Sequence, residues 1–309
     1  MLKSTSVLLT LIFAWFLFAY CHETIETDLP FHIDQNQVKP LRQLVNPQLQ
    51  RNLETVLRSN KKWDYLISRK KMAVGLVDIS DPQNIKFARV NGDVMMYAAS
   101  LPKLAILFAA YQAFEDSTLQ EAPEILNDLH LMIARSDNAA ATRMIDRIGF
   151  ERIQKTLMDP KYELYDLKRG GGLWVGKRYA KTGIRIPDPL MGISHGATVT
   201  QVCRFYYLLA IGRLINRERS IQMLEMLVDP ELHHKFVNTY DHLAPDAKLY
   251  RKSGTWQKWH ADSVLIWGPV WRRYILTALI ESEDGETICR NVIPAVESVL
   301  KNIDIKSTQ

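Results

Sequence analysis

Ala98-Ala99-Ser100-Leu101-Pro102-Lys103-Leu104-Ala105-Ile106-Leu107-Phe108 is the stretch around which the rest of the chain is ordered. A proline is tolerated in a helix only in the first turn, where its missing N–H has no intrahelical acceptor to lose. Pro102 therefore fixes Ser100 at a helix start, and the apolar run Leu104 to Phe114 marks that helix for burial. A hydroxyl there lies beside free backbone N–H groups and the positive end of the helix dipole, both suited to an oxyanion. Lys103, three residues on, shares the same helical face. A lysine in a dry pocket loses the preference for its charged form and can accept a serine proton. The Ser-x-x-Lys spacing alone decides nothing, because it also begins at Ser59, Ser68 and Ser298. A lone match is more often a capping serine with a solvated lysine. Only Ser100 opens a strongly apolar helix.

Two further groups follow. Ser136-Asp137-Asn138 occurs once, between two predicted helices. Its plain reading is a helix cap, since these three residue types are the favoured caps. Its functional reading has Ser136 relay a proton to a leaving group, while the Asn138 amide holds substrate or Lys103. Two Lys-[Ser/Thr]-Gly sites then compete. Lys181-Thr182-Gly183 lies in a proline-rich loop, whereas Lys252-Ser253-Gly254-Thr255 lies on a predicted strand. The chemistry needs a strand beside the nucleophile, giving a cation for a substrate carboxylate, a hydroxyl next to it and a backbone N–H for the oxyanion. Gly254 lets another group approach that backbone closely. Lys252 is chosen and Lys181 set aside as a decoy.

Outside these groups the periodicity predicts a frame. Pro47–Ser59 reads as a helix capped by Asn46, with Leu49, Leu53, Val56 and Leu57 on one face. Met72–Ile79 and Ile85–Val90 read as strands joined by the turn Ser80-Asp81-Pro82. Helices follow at Leu101–Glu115, Ala122–Ala134, Ala139–Ile148, Thr198–Ile215 and Ser220–Leu227. The irregular segment between Asp159 and Ala197 is long enough to border a functional site. Lys248–Thr255, Ala261–Trp267 and Arg273–Glu281 read as strands, and Glu286–Leu300 as a closing amphipathic helix. The expected fold is α/β of the α+β type: one antiparallel sheet of about five strands drawn from both chain ends, helices on both faces, and an inserted helical lobe.

Ser-x-x-Lys, Ser-Asp-Asn and Lys-[Ser/Thr]-Gly, in this order and in this setting, are a signature set. From about Met72 to the C-terminus the chain resembles the β-lactamase and penicillin-binding superfamily, class A β-lactamases in particular. The resemblance implies a β-lactamase/transpeptidase-like fold and an acyl-enzyme on Ser100. It implies Lys103 as base, Ser136 and Asn138 as the proton-relay pair, Lys252 and Ser253 as a carboxylate grip, and the N–H groups of Ser100 and Thr255 as oxyanion hole. One departure stands out. Class A enzymes carry Glu-x-x-Leu-Asn in the loop after Ser-Asp-Asn, and its glutamate activates the deacylating water. Here that loop reads Lys168-Arg169-Gly170-Gly171-Gly172-Leu173, with Gly170 in the glutamate's place if Leu173 matches the leucine. Slow deacylation is the expectation, with Glu163 and Asp166 as nearby carboxylates outside the pattern.

Composition narrows the rest. With 47% hydrophobic and 24% charged residues, the 309-residue chain has an ordinary globular balance and ample length for a core. The net charge of +5 comes with no long basic run, so nucleic acid is set aside as a partner. The histidines are scattered and no Cys-x-x-Cys occurs, so no metal and no cofactor are expected. Cys203 and Cys289 fall in predicted helices and read as two buried free thiols, with a single disulfide between them as the alternative in an exported protein. Lys3 and the apolar run Val7 to Tyr20 read as an export signal over residues 1–21, too short for a spanning helix. Cys21 stands where a bacterial lipoprotein carries its lipidated cysteine, although Tyr20 before it is larger than usual. A cleaved signal, a lipoprotein signal and a retained anchor all stand as readings. The expected location is periplasmic or extracellular, with membrane anchoring only through the N-terminus. Residues 22–45 are expected to form a tether, and 46–305 a catalytic domain with a sheet lobe (46–98 plus 240–305) and a helical lobe (99–239). The leading function is a β-lactamase-like serine hydrolase acting on a β-lactam or peptidoglycan-like substrate. A D-alanyl-D-alanine peptidase and a non-catalytic, acylated sensing module are the alternatives.

Overall fold

Seven consecutive buried residues, Met72–Asp78, form strand β1 of the computed structural model, which describes residues 29–34 and 36–307. Burial on both faces is what a central strand shows when helices cover the sheet from each side. Strands β2 (Lys86–Val90), β3 (Lys248–Trp256), β4 (Trp259–Trp267) and β5 (Arg273–Glu281) complete an antiparallel sheet in the order β2-β1-β5-β4-β3. The two N-terminal strands thus lie beside the three C-terminal ones, as the sequence predicts. β3 is an edge strand, which leaves one side of Lys252–Thr255 free to face a ligand.

Alternate residues of β1 feed two separate cores. Val74 and Leu76 pack with Leu49 and Leu53 of the helix Pro47–Arg58 and with Val292 and Val296 of the helix Gly285–Ser307. Ala73 and Val77 join a larger cluster that runs through the helical lobe. At its centre is the helix Lys103–Glu115, apolar on every side; all its residues but Gln112 and Glu115 are buried. The Asn46 cap forms as expected, its side chain accepting from the N–H groups of Gln48 and Leu49.

The structure departs from the sequence reading in several places. Three short helices, Lys61–Ser68, Phe150–Met158 and Phe236–Leu243, were not anticipated. The helix expected to reach Ile215 ends at Ala210. Phe236–Leu243 straddles the boundary drawn between the two lobes and packs with the sheet, through Phe236, Val237 and Tyr240. Residues read as a tether partly dock instead. Phe31, Ile33 and Leu41 are buried, and the Phe31 ring stacks on Trp267 at 6.1 Å between centroids. The apolar side chains hidden in that polar stretch are the reason. The export signal over 1–21 and Cys21 lie outside the described residues. Cys203 and Cys289 are free and buried, and burial pushes both thiols up to about 12.

Candidate active site

The four Ser-x-x-Lys serines separate by environment. Ser59 and Ser298 donate to helix carbonyls, of Val56 and Ala295, and Ser68 meets Arg58; all three contacts are at the exposed surface. Ser100 alone lines a cleft, of about 580 Å3, together with Tyr97, Asn138, Tyr179, His195 and Thr255. The chain enters this position through Ala99, whose φ of 50° lies in the left-handed region disfavoured for residues with a Cβ. Leu101 N–H then bonds to Ala98 O and Lys103 N–H to Ser100 O, at 3.0 and 3.2 Å. These i→i+3 turns carry the chain into the α-helix, which begins at Lys103 rather than Leu101. Pro102 occupies its N-cap, as its missing N–H allows.

Lys103, Ser136 and Lys252 form a hydrogen-bonded chain. Lys103 Nζ donates to Ser136 O at 2.5 Å and to Asn138 Oδ1 at 2.8 Å, and lies 3.4 Å from Ser136 Oγ. Lys252 Nζ donates to the same Ser136 Oγ at 2.8 Å. Ser136 itself has a φ of 57°, and Asp137 caps the helix that begins at Asn138 by accepting from Ala140 N–H. Asp137 thus serves as the cap, while Ser136 and Asn138 meet Lys103. Burial pushes the Lys103 ammonium down to about 7, against the pull of the Asp137 carboxylate. Burial first, then the charges of Lys103 and Arg251, hold Lys252 well below the usual lysine range. Two ammonium groups on one hydroxyl in a dry site disfavour each other, so the pair favours one neutral lysine.

Strand β3 is pressed against the Ala98–Leu101 segment. A Cβ at Gly254 would lie 2.2 Å from Ala98 O and 2.7 Å from Ser100 N. The close approach that Gly254 permits is thus by the chain's own backbone, which sets Thr255 beside Ser100. Beneath the strand, Arg251 and Asp262 form a fully buried two-bonded pair, 2.7 and 2.9 Å. Asp262 also accepts from Phe236 N–H and Ser263 N–H, while Arg251 holds the carbonyls of Leu232 and His234. Lys235, with a buried ammonium, donates to Gly254 O, Thr255 Oγ1 and Ala261 O. The Ser253 hydroxyl lies 3.2 Å from His234 Nε2. Sequence reasoning missed Lys235 and His234, since a charged residue between helices carries no signal of burial.

The long segment 159–197 does border the site. Lys177, Arg178, Tyr179, Lys181, Ser194 and His195 line the cleft, held in part by the pairing of His195–Ala197 with Met96–Tyr97. Lys181 is an exposed rim residue on a loop, not on a strand, and its Thr182 and Gly183 neighbours are exposed too. No Asp or Glu lines the cleft among the described residues. Gly170 has a φ of 83°, and a Cβ there would meet Asp93 O at 2.2 Å, so no side chain fits at that position. Glu163 pairs with Arg204 at 3.4 Å, and Asp166 accepts from Lys168 N–H at 2.8 Å. Both carboxylates are committed outside the cleft. Among the described residues, no group of three or more His, Cys, Asp or Glu side chains could hold a metal ion.

The sequence matches the beta-lactamase enzyme family over residues 120–300, more than half of the chain. The chain belongs to the beta-lactamase enzyme family. The matched span contains Ser136, Asn138 and Lys252–Thr255; Ser100 and Lys103 precede it and rest on the geometry above. Solved structures of the family share the fold at low identity. PBP-A is 18% identical, with 83% of this chain and 97% of that chain covered and a TM-score of 0.60. A β-lactamase from Sphaerobacter thermophilus is 16% identical over 80% of this chain and 94% of that one, also with a TM-score of 0.60. A class A β-lactamase from Bacteroides cellulosilyticus is 14% identical over 83% of this chain and all of its own, again at 0.60. No protein of curated function matches the sequence. Family membership makes this a hydrolase of the β-lactamase type.

Proposed function

We propose that β-lactams acylate Ser100 and that the acyl group leaves slowly. The observation that carries this reading is Ser136 Oγ, set between Lys103 and Lys252, with Asn138 and Ser100 lining a cleft in which no Asp or Glu stands among the described residues. Neutral Lys103 takes the Ser100 hydroxyl proton as the oxygen attacks the lactam carbonyl. The N–H groups of Ser100 and Thr255 hold the resulting oxyanion. Ser136 passes a proton from Lys103 to the lactam nitrogen as the C–N bond breaks, leaving an ester on Ser100. A substrate carboxylate at Lys252 stabilises that lysine's charged form, which the buried site otherwise disfavours. Hydrolysis of the ester needs a held water and a base to deprotonate it, and the cleft offers no carboxylate for either task.

The related PBP-A, in a mutant form, has been solved as an acyl-enzyme complex with penicillin G, which supports the first step. The empty glutamate position favours a second reading, a binding or sensing module acylated without turnover. A peptidoglycan-like peptide ending in a carboxylate suits the Lys252 grip as natural acyl donor, and the apolar N-terminus supports an exported location. The test is intact-mass spectrometry with penicillin G. One adduct is expected on Ser100, absent from Ser100→Ala; an adduct that survives the substitution, or maps to Ser59, Ser68 or Ser298, overturns the assignment.

A further inference from the structure

Tyr179 was singled out by no motif, yet it touches both halves of the acylating machinery. Its hydroxyl donates to Ala99 O at 3.2 Å, the carbonyl just before the nucleophile. The face of its ring lies 4.5 Å from Lys103 Nζ. That amino group also donates to Ser136 O and Asn138 Oδ1 and lies 3.4 Å from Ser136 Oγ. With the ring in place, the amino group is enclosed on every side by protein, and Lys103 is fully buried.

The ring is itself held. His195 packs on it with centroids 4.3 Å apart, and Tyr97 and Trp259 continue the aromatic wall. His195 Nε2 donates to Lys177 O at 3.0 Å, fastening the loop that carries Tyr179. Burial pushes the His195 imidazolium down to about 4, so at neutral pH the ring is uncharged and places no cation beside Lys103.

We propose that Tyr179 is a positioning residue for the Lys103 base: its ring caps the amino group, its hydroxyl ties the cap to Ala99, and the cap keeps water off that flank. The inference rests on the acylation of Ser100 proposed above. Two consequences follow. A lysine capped by an aromatic face recovers less than water would give its charged form, so the cap holds Lys103 in the neutral form a base requires. The same cap fills the flank where a water bound to Lys103 would stand, so it also protects the ester on Ser100.

The experiment compares Tyr179→Ala and Tyr179→Phe. In the alanine variant, the acid limb of the acylation rate against pH moves up by about one unit or more, which lowers the rate near pH 7 by about fivefold or more. The penicillin G adduct of that variant also decays faster. The phenylalanine variant keeps the ring and stays within a few-fold of the parent in both measurements. Tyr179→Asn serves in place of alanine if the latter melts early. A limb and an adduct lifetime unchanged in Tyr179→Ala overturn the proposal, as does a phenylalanine variant that reproduces the alanine shift. Titration of Lys103 by NMR in 13C-lysine-labelled protein reads the cap without turnover. A penicillin that never acylates the parent enzyme therefore sinks the functional reading, while the Lys103 titration still decides the role of Tyr179.

Discussion

Lys252 Nζ donates to Ser136 Oγ across 2.8 Å, joining the edge strand of the sheet to the turn between two helices of the other lobe. The cleft lies where these two parts meet, so its geometry is a property of the whole fold. Three groups far apart in sequence converge because the sheet is built from both chain ends. The helical lobe between them is then folded back over the edge strand β3.

That bond separates the two Lys-[Ser/Thr]-Gly sites. Lys252→Ala removes a buried donor from the relay and the cation from the carboxylate grip. Acylation by a carboxylate-bearing β-lactam is expected to slow by roughly one to three orders of magnitude, as for the loss of a charge-assisted contact or a transition-state donor. Lys181→Ala, on the exposed rim, changes it little. Stopped-flow rates with a chromogenic β-lactam decide; the opposite ranking means that the wrong segment carries the grip.

The pH dependence follows from Lys103. Its amino group must be neutral to accept the Ser100 proton, and burial brings it from the ordinary 10.5 down to about 7. The acylation rate therefore rises with pH up to that value and then levels, falling about tenfold for each unit below it. A rate that climbs without a break to about pH 10 shows that Lys103 keeps an exposed lysine's affinity for protons.

Much of the frame was legible because periodic burial leaves a mark in the sequence. The largely apolar run Met72–Ile79, the apolar helix after Pro102 and the Asn46 cap each follow from local rules that burial does not overturn. Tyr179 and Lys235 were not legible, because their roles depend on which distant backbone they reach, Ala99 O for one and Gly254 O for the other. The docked segment at Phe31 was missed for a related reason: three apolar side chains in a polar run have no period to read. The departure at Gly170 was visible in the sequence, but its consequence needed the structure. Only the contact with Asp93 shows that no side chain could stand there.

The support under β3 gives a stability prediction. Asp262→Ala leaves the buried Arg251 guanidinium without its carboxylate, a loss worth ~3–5 kcal/mol for such pairs. Asp64→Ala breaks the exposed pair with Arg58 and is expected to cost less than ~1 kcal/mol. Urea unfolding of the two variants measures both. Equal, small effects mean that the Arg251–Asp262 pair does not hold the strand.

The lifetime of the acyl-enzyme tests the account most directly. General-base assistance is typically worth ~10²–10⁴-fold, and the cleft supplies no carboxylate to give it. Intact-mass spectra of the enzyme mixed with penicillin G, followed from seconds to hours, are predicted to show the Ser100 adduct form and persist while turnover stays slow. Rapid steady-state hydrolysis with no adduct accumulating contradicts the account.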